Sequence, residues 1–141
     1  MRARTAKTAR REAEARPFRD ALKERVGRCE VCLRPRMVDY LACHEVANGP
    51  LRQTCLDKAF GILVVDRYPD FKRQTDCHRI VQNESEARQL ARLYIARPSD
   101  FDLVAFNRMV NERAPNRITL AEVMAEVSNL FQSTTKGLSD D

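Results

Sequence analysis

No stretch of eighteen apolar residues occurs in the 141-residue chain, so no segment reads as a membrane-spanning helix. The opening MRARTAKTARREAEARPFRD is basic but lacks the apolar core and small-residue cleavage site of a secretory signal. These absences lead to the expectation of a soluble, cytoplasmic protein with no membrane partner. No internal repeat is visible, and the length suits one domain, with an appended arm, that can bury a core without disulfides. Histidine is scarce, with only His44 and His78. Five cysteines, at positions 29, 32, 43, 55 and 77, form an odd set without an export signal. That argues against a disulfide framework and for thiols used as metal ligands or core residues.

Charge is unevenly spread. Residues 1–28 hold ten Lys/Arg against four Asp/Glu, whereas the remainder holds fifteen against sixteen. The basic surplus therefore belongs to the N-terminal part, and a nucleic-acid backbone is the expected partner. No small-molecule organic cofactor is expected, and the oligomeric state is left open.

The pattern predicts an α+β, mostly helical fold. Residues 1–17 read as a basic flexible arm, which Pro17 separates from a short helix carrying Phe18, Leu22 and Val26 at four-residue spacing. Short β-branched bursts over Met37–Val46 and Ile62–Val65 predict a two-stranded ribbon with a long connection, and DRYPDFKRQTD (Asp66–Asp76) predicts a surface loop. Beyond it, Asn83 or Ser85 can cap a helix with Ala87, Leu90, Ala91 and Tyr94 on one face. A second helix, opened by Asp100 or Asp102, runs to about Arg113, and Phe106 and Tyr94 are both assigned to the core. Thr119–Glu122 is a capping box, followed by a stripe of Leu120, Val123, Met124, Val127, Leu130 and Phe131. Residues 83–133 form a helical scaffold in this reading, and 134–141 a disordered tail.

The chemistry concentrates in four short motifs. CEVC places Cys29 and Cys32 in a tight knuckle, half of a four-ligand zinc site, and Cys77 is the expected third thiol. Cys43, Cys55 or Asp66 could supply the fourth ligand. The alternative is a knuckle held by packing alone, since a buried free cysteine behaves as a small apolar residue. Cys43 and His44 are adjacent in a strand-like segment, so their side chains should point to opposite faces and serve different sites. His44 on the ribbon and His78, directly after Cys77 at a helix start, form the second pair.

The order CEVC, CHEVANGP, ILVV and DCHR resembles the HNH, or ββα-metal, nuclease family over Phe18–Val81. The resemblance implies that residues 18–82 form a β-hairpin followed by a helix around a divalent metal, preceded by a lead-in helix, with the C-terminal helices packed on this core. It implies a DNA endonuclease in which His44 is the general base, His78 binds a catalytic Mg2+ or Mn2+, and Cys29, Cys32 and Cys77 hold structural Zn2+. Arg19, Lys23, Arg52 and Arg79 are the expected phosphate contacts, while Glu45 reads as a salt-bridge residue. Three positions differ from the family's usual pattern. Cys43 stands where a hard metal ligand often precedes the base, Gly61 stands where an Asn is usual, and no fourth zinc cysteine precedes Cys77. They leave a second reading, a non-catalytic nucleic-acid-binding or assembly module on the same fold.

Overall fold

The computed structural model describes residues 6–47, 57–68 and 76–139, so Arg52, Cys55 and the centre of the Asp66–Asp76 segment lie outside the described residues. The chain is mostly helical around one small antiparallel sheet, an α+β arrangement. No helix among the described residues is long and apolar enough to cross a membrane.

Helix α1 spans Ala6–Val26, a run rich in Ala, Arg, Glu and Lys. It passes straight through Pro17, where a break was expected. Proline removes one hydrogen bond to the Ala13 carbonyl and costs the helix interior about 3 kcal/mol. Burial of Ala15 before it and Leu22 after it anchors both halves against the core, and tertiary packing outweighs local propensity. Phe18, expected on the inner face, is exposed. Gly27 ends the helix at φ +64°, with its N–H on the Lys23 carbonyl at 2.8 Å, the left-handed stop that glycine adopts without a Cβ penalty.

Strand β1 (Leu41–Glu45) pairs antiparallel with β2 (Ile62–Asp66), with Cys43 opposite Val64 and His44 opposite Leu63. All five residues of β2 are buried, because α1 covers one side of the pair while α2 and α3 cover the other. Each aliphatic side chain so buried contributes roughly 1.5–3 kcal/mol. Asp66, expected to begin a surface loop, instead closes β2 and is fully buried.

Helix α2 (Cys77–Gln82) is capped by Asp76, whose carboxylate accepts the Arg79 N–H at 2.7 Å. Ser85 caps α3 (Glu86–Ala96) and Asp102 caps α4 (Leu103–Val110), each accepting the N–H three residues on. Thr119 Oγ1 accepts the Glu122 N–H at 3.2 Å at the start of α5 (Leu120–Ser139). Helices α3 and α5 pack along each other through Leu90, Leu93, Val123 and Leu130.

Three expectations here need correction. Tyr94 is not in the core; Leu93 is, and Tyr94 sits edge-on to Phe101 with ring centroids 5.2 Å apart. Helix α4 stops at Val110 rather than near Arg113, and the Asn107 side chain bonds both backbone groups of Ile118, which turns the chain toward α5. Finally, α5 stays helical past residue 133 to Ser139, since extending an established helix is far cheaper than nucleating one. Leu120 and Phe131, at either end of its apolar stripe, remain exposed.

Candidate functional site

Two clusters meet at the sheet. The first is the thiol group. Cys29 and Cys32 come from the knuckle between α1 and β1, and Cys77 is the first residue of α2; their Sγ atoms all lie within 4.8 Å of one another. Zinc–sulfur bonds of about 2.3 Å in a tetrahedral site put sulfurs roughly 3.8 Å apart, so the cluster fits a thiophilic ion such as zinc. Cys29 and Cys77 are buried and Cys32 is half-buried. The Cys29 thiol is pulled down to about 5, chiefly by a hydrogen bond from the Cys77 thiol. Burial opposes the shift, and N–H groups of Cys32, Val31 and Asp66 assist it. Two of these donors reach the Cys29 sulfur at 3.4 Å (Val31) and 3.3 Å (Asp66).

The knuckle is locked to the sheet by the acidic residue between its thiols. Glu30 donates its N–H to the Val64 carbonyl and accepts the Val64 N–H on Oε1, both at 2.8 Å. Arg97, at the C-terminal end of α3, closes on the same carboxylate at 2.9 Å and also donates to the Ile62 carbonyl and to Asp100. A buried ion pair thereby joins knuckle, strand and helix.

Among the described residues the three thiols are the one group of three or more such ligands that could hold a metal ion. Asp66, one of three expected fourth ligands, does not join it. Its carboxylate meets Arg36, which donates from Nε and Nη2 to Oδ2 at 3.0 Å each, and its contribution to the thiols is the backbone N–H. Cys43 also points elsewhere, its Sγ lying 3.7 Å from the Arg19 carbonyl on the α1 side. Burial pushes this thiol up, so it is a poor anionic ligand. Cys55 lies outside the described residues.

The second cluster is the histidine pair. Strand alternation separates Cys43 from His44 as expected and sends the His44 ring to the α2–α3 side. There it meets the His78 ring at 5.2 Å between centroids and 69° between planes. His44 is only 7% exposed, and its Nε2 lies 2.7 Å from Gln89 Oε1 on α3. His78 is half-buried, with the Gln82 amide 3.5 Å from its Nε2.

The expected phosphate contacts fare unequally. Arg19 donates at 2.7 Å to the Cys43 carbonyl and to Glu45, so its guanidinium ties α1 to β1. This gives Glu45 the salt-bridge role expected of it. Lys23 lies 3.4 Å from Asp20. Both line a cleft of about 320 Å³ between α1 and β1, with Arg16 and Arg67. Arg79 is exposed beside His78, and Arg52 lies outside the described residues.

Compared with known proteins, the chain matches no family model, no curated protein and no solved structure.

Sequence reasoning missed Gln89, Glu30 and Arg97. Gln89 sits beside Leu90 on an amphipathic helix, where a polar residue ordinarily reads as solvent-facing; its one signal is that a buried histidine needs a partner. For Glu30 the signal was its position inside CEVC, between two thiols that share one cluster.

Proposed function

We propose that the chain is a small HNH-like, metal-dependent endonuclease that hydrolyses DNA phosphodiester bonds. His44 is the general base, His78 the ligand of a catalytic divalent ion, and Cys29, Cys32 and Cys77 the holders of a structural zinc. One observation carries this reading: the chain's only two histidines, 34 residues apart, bring their rings within 5.2 Å from a strand and a helix start. The antiparallel pair followed by a short helix, with a knuckle before it and the third thiol opening the helix, supports a ββα-metal core.

A neutral imidazole, with an ordinary pKa of about 6.5, accepts a proton from water at neutral pH. The water oxygen attacks phosphorus, and the 3′ oxygen leaves with its bonding pair. A divalent ion, Mg2+ or Mn2+, would polarise the phosphate and stabilise that leaving oxygen when bound. Arg79, exposed next to His78, is positioned to hold a neighbouring phosphate.

The test is nicking of supercoiled plasmid in Mg2+, Mn2+, Zn2+ or Ni2+. Wild type nicks, and His44→Ala loses activity by on the order of 100-fold or more with unchanged circular dichroism. His78→Ala loses activity in a way that added metal partly restores. Undiminished cleavage by His44→Ala would sink the assignment.

A second reading has its own observation. Cys43 is turned toward Arg19, and no carboxylate completes a three-ligand group with the two imidazoles among the described residues. Mg2+ prefers oxygen ligands, so this donor set favours a non-catalytic nucleic-acid-binding module. Salt-sensitive DNA binding without cleavage in any of the four ions supports that alternative.

A further inference from the structure

Gln89 is fully buried and both ends of its amide are engaged. Its Nε2 donates to the Glu84 carbonyl at 2.9 Å, and a carbonyl can only accept. The amide oxygen is therefore the end that faces His44 Nε2 at 2.7 Å. An amide oxygen also only accepts, so Nε2 must carry a proton. In the neutral ring the lone pair then resides on Nδ1.

We infer that Gln89 is a positioning residue that holds the proton on His44 Nε2 and leaves Nδ1 as the atom that accepts a proton from water. This rests on the reading of His44 as the general base. In the step it supports, one water O–H bond breaks and its proton passes to Nδ1. The water oxygen bonds to phosphorus, the P–O3′ pair departs with the 3′ oxygen, and the ring becomes an imidazolium that keeps its Nε2–H on Gln89.

The relay is anchored from behind. Burial pushes the Glu84 carboxyl up, but Arg92 (2.7 Å from both Nε and Nη2) and Arg88 (3.0 Å) outweigh it and hold the group below its ordinary value. Glu84 is thus pinned as a carboxylate while its backbone carbonyl orients the amide. Around the His44 ring, α2 presents His78 and α3 presents Gln89, whereas Glu45 is directed to Arg19 on the opposite face.

The test reads the tautomer first. Nitrogen-15 spectra of the His44 ring in the wild-type chain, above its titration, should show the Nε2–H form; an Nδ1–H ring overturns the proposal. Gln89→Leu should give a mixed population and roughly 10–100-fold slower plasmid nicking, with DNA affinity unchanged. An unchanged tautomer in that variant overturns the role of Gln89. Should Gln89→Leu not fold, Gln89→Glu decides: its carboxylate oxygen also only accepts, so the Nε2–H ring should persist, and an Nδ1–H ring in that variant overturns the proposal. Because the ring is read without turnover, a protein that cleaves nothing yet shows the Nε2–H form overturns the nuclease reading while upholding Gln89 as the group that sets the ring.

Discussion

Cys29 is the residue whose surroundings make the sharpest demand on solution behaviour. Its thiol ionises at about 5 in the folded chain, against 9.0 as its ordinary value, because the Cys77 thiol and backbone N–H groups favour the thiolate over the cost of burial. Between those two values the unfolded chain holds a proton that the folded chain has released. Raising the pH through this interval therefore draws the equilibrium toward the folded state, and the stabilisation is lost as pH falls through about 5. Metal-free protein should show a higher urea midpoint at pH 8 than at pH 6, and Cys29→Ala should flatten that slope. An equal slope in both proteins would contradict it.

At this scale much of the site was legible. Period-two alternation alone separated Cys43 from His44, and the C-x2-C spacing picked out the thiols that cluster with Cys77. Asp66 was misjudged because the polar run after it looked like a loop, whereas the pairing of Leu41 with Asp66 extends β2 by that residue and buries it against Arg36. Gln89 was invisible for a different reason. Its partner lies 45 residues away, and helix periodicity says nothing about which buried position must be polar.

At the level of elements, the contact between knuckle and sheet depends on one buried pair. Removing the carboxylate in Glu30→Ala strands Arg97, which is only 6% exposed, and leaves the Val64 N–H without its acceptor. Breaking such a pair costs about 3–5 kcal/mol, lessened here by the remaining Asp100 contact. The thermal midpoint should fall well below wild type, and Glu30→Gln, which keeps an acceptor for Val64, should recover part of the loss. Equal stability of all three would show the pair to be energetically idle. Element boundaries followed the strength of local signals. Ser85, Asp102 and Thr119 act as caps because capping is decided within four residues. Pro17 did not break α1, because the contacts that override it come from β1 and the core rather than from its neighbours in sequence.

For the whole molecule, the histidine pair sits on the α2–α3 side of the sheet and the knuckle is bound to the backbone of β2, while α5 packs against α3. A cavity in that packing should weaken the fold without altering the thiol cluster. Val123→Ala, at a buried position in the core shared with Leu90 and Leu93, should cost about 1–3 kcal/mol yet leave the zinc uptake proposed for the three thiols equal to that of the wild type in the folded range. Lost zinc binding in a fully folded variant would place α5 in the site's support. The basic surplus of residues 1–28 also reads differently at this scale. Arg19, Arg25 and Arg28 contact Glu45, Asp100 and the Ala96 carbonyl, so part of the charge expected to serve a polyanion serves the fold.

The clamp of Glu30 and Arg97 holds the knuckle's shape by contacts that involve no ion. The three sulfurs thus resemble a cup moulded in advance rather than one gathered around its contents. With the proposed zinc in place, chelation should strip such a site without melting the protein, and metal should return at the pace of ligand exchange instead of the pace of folding.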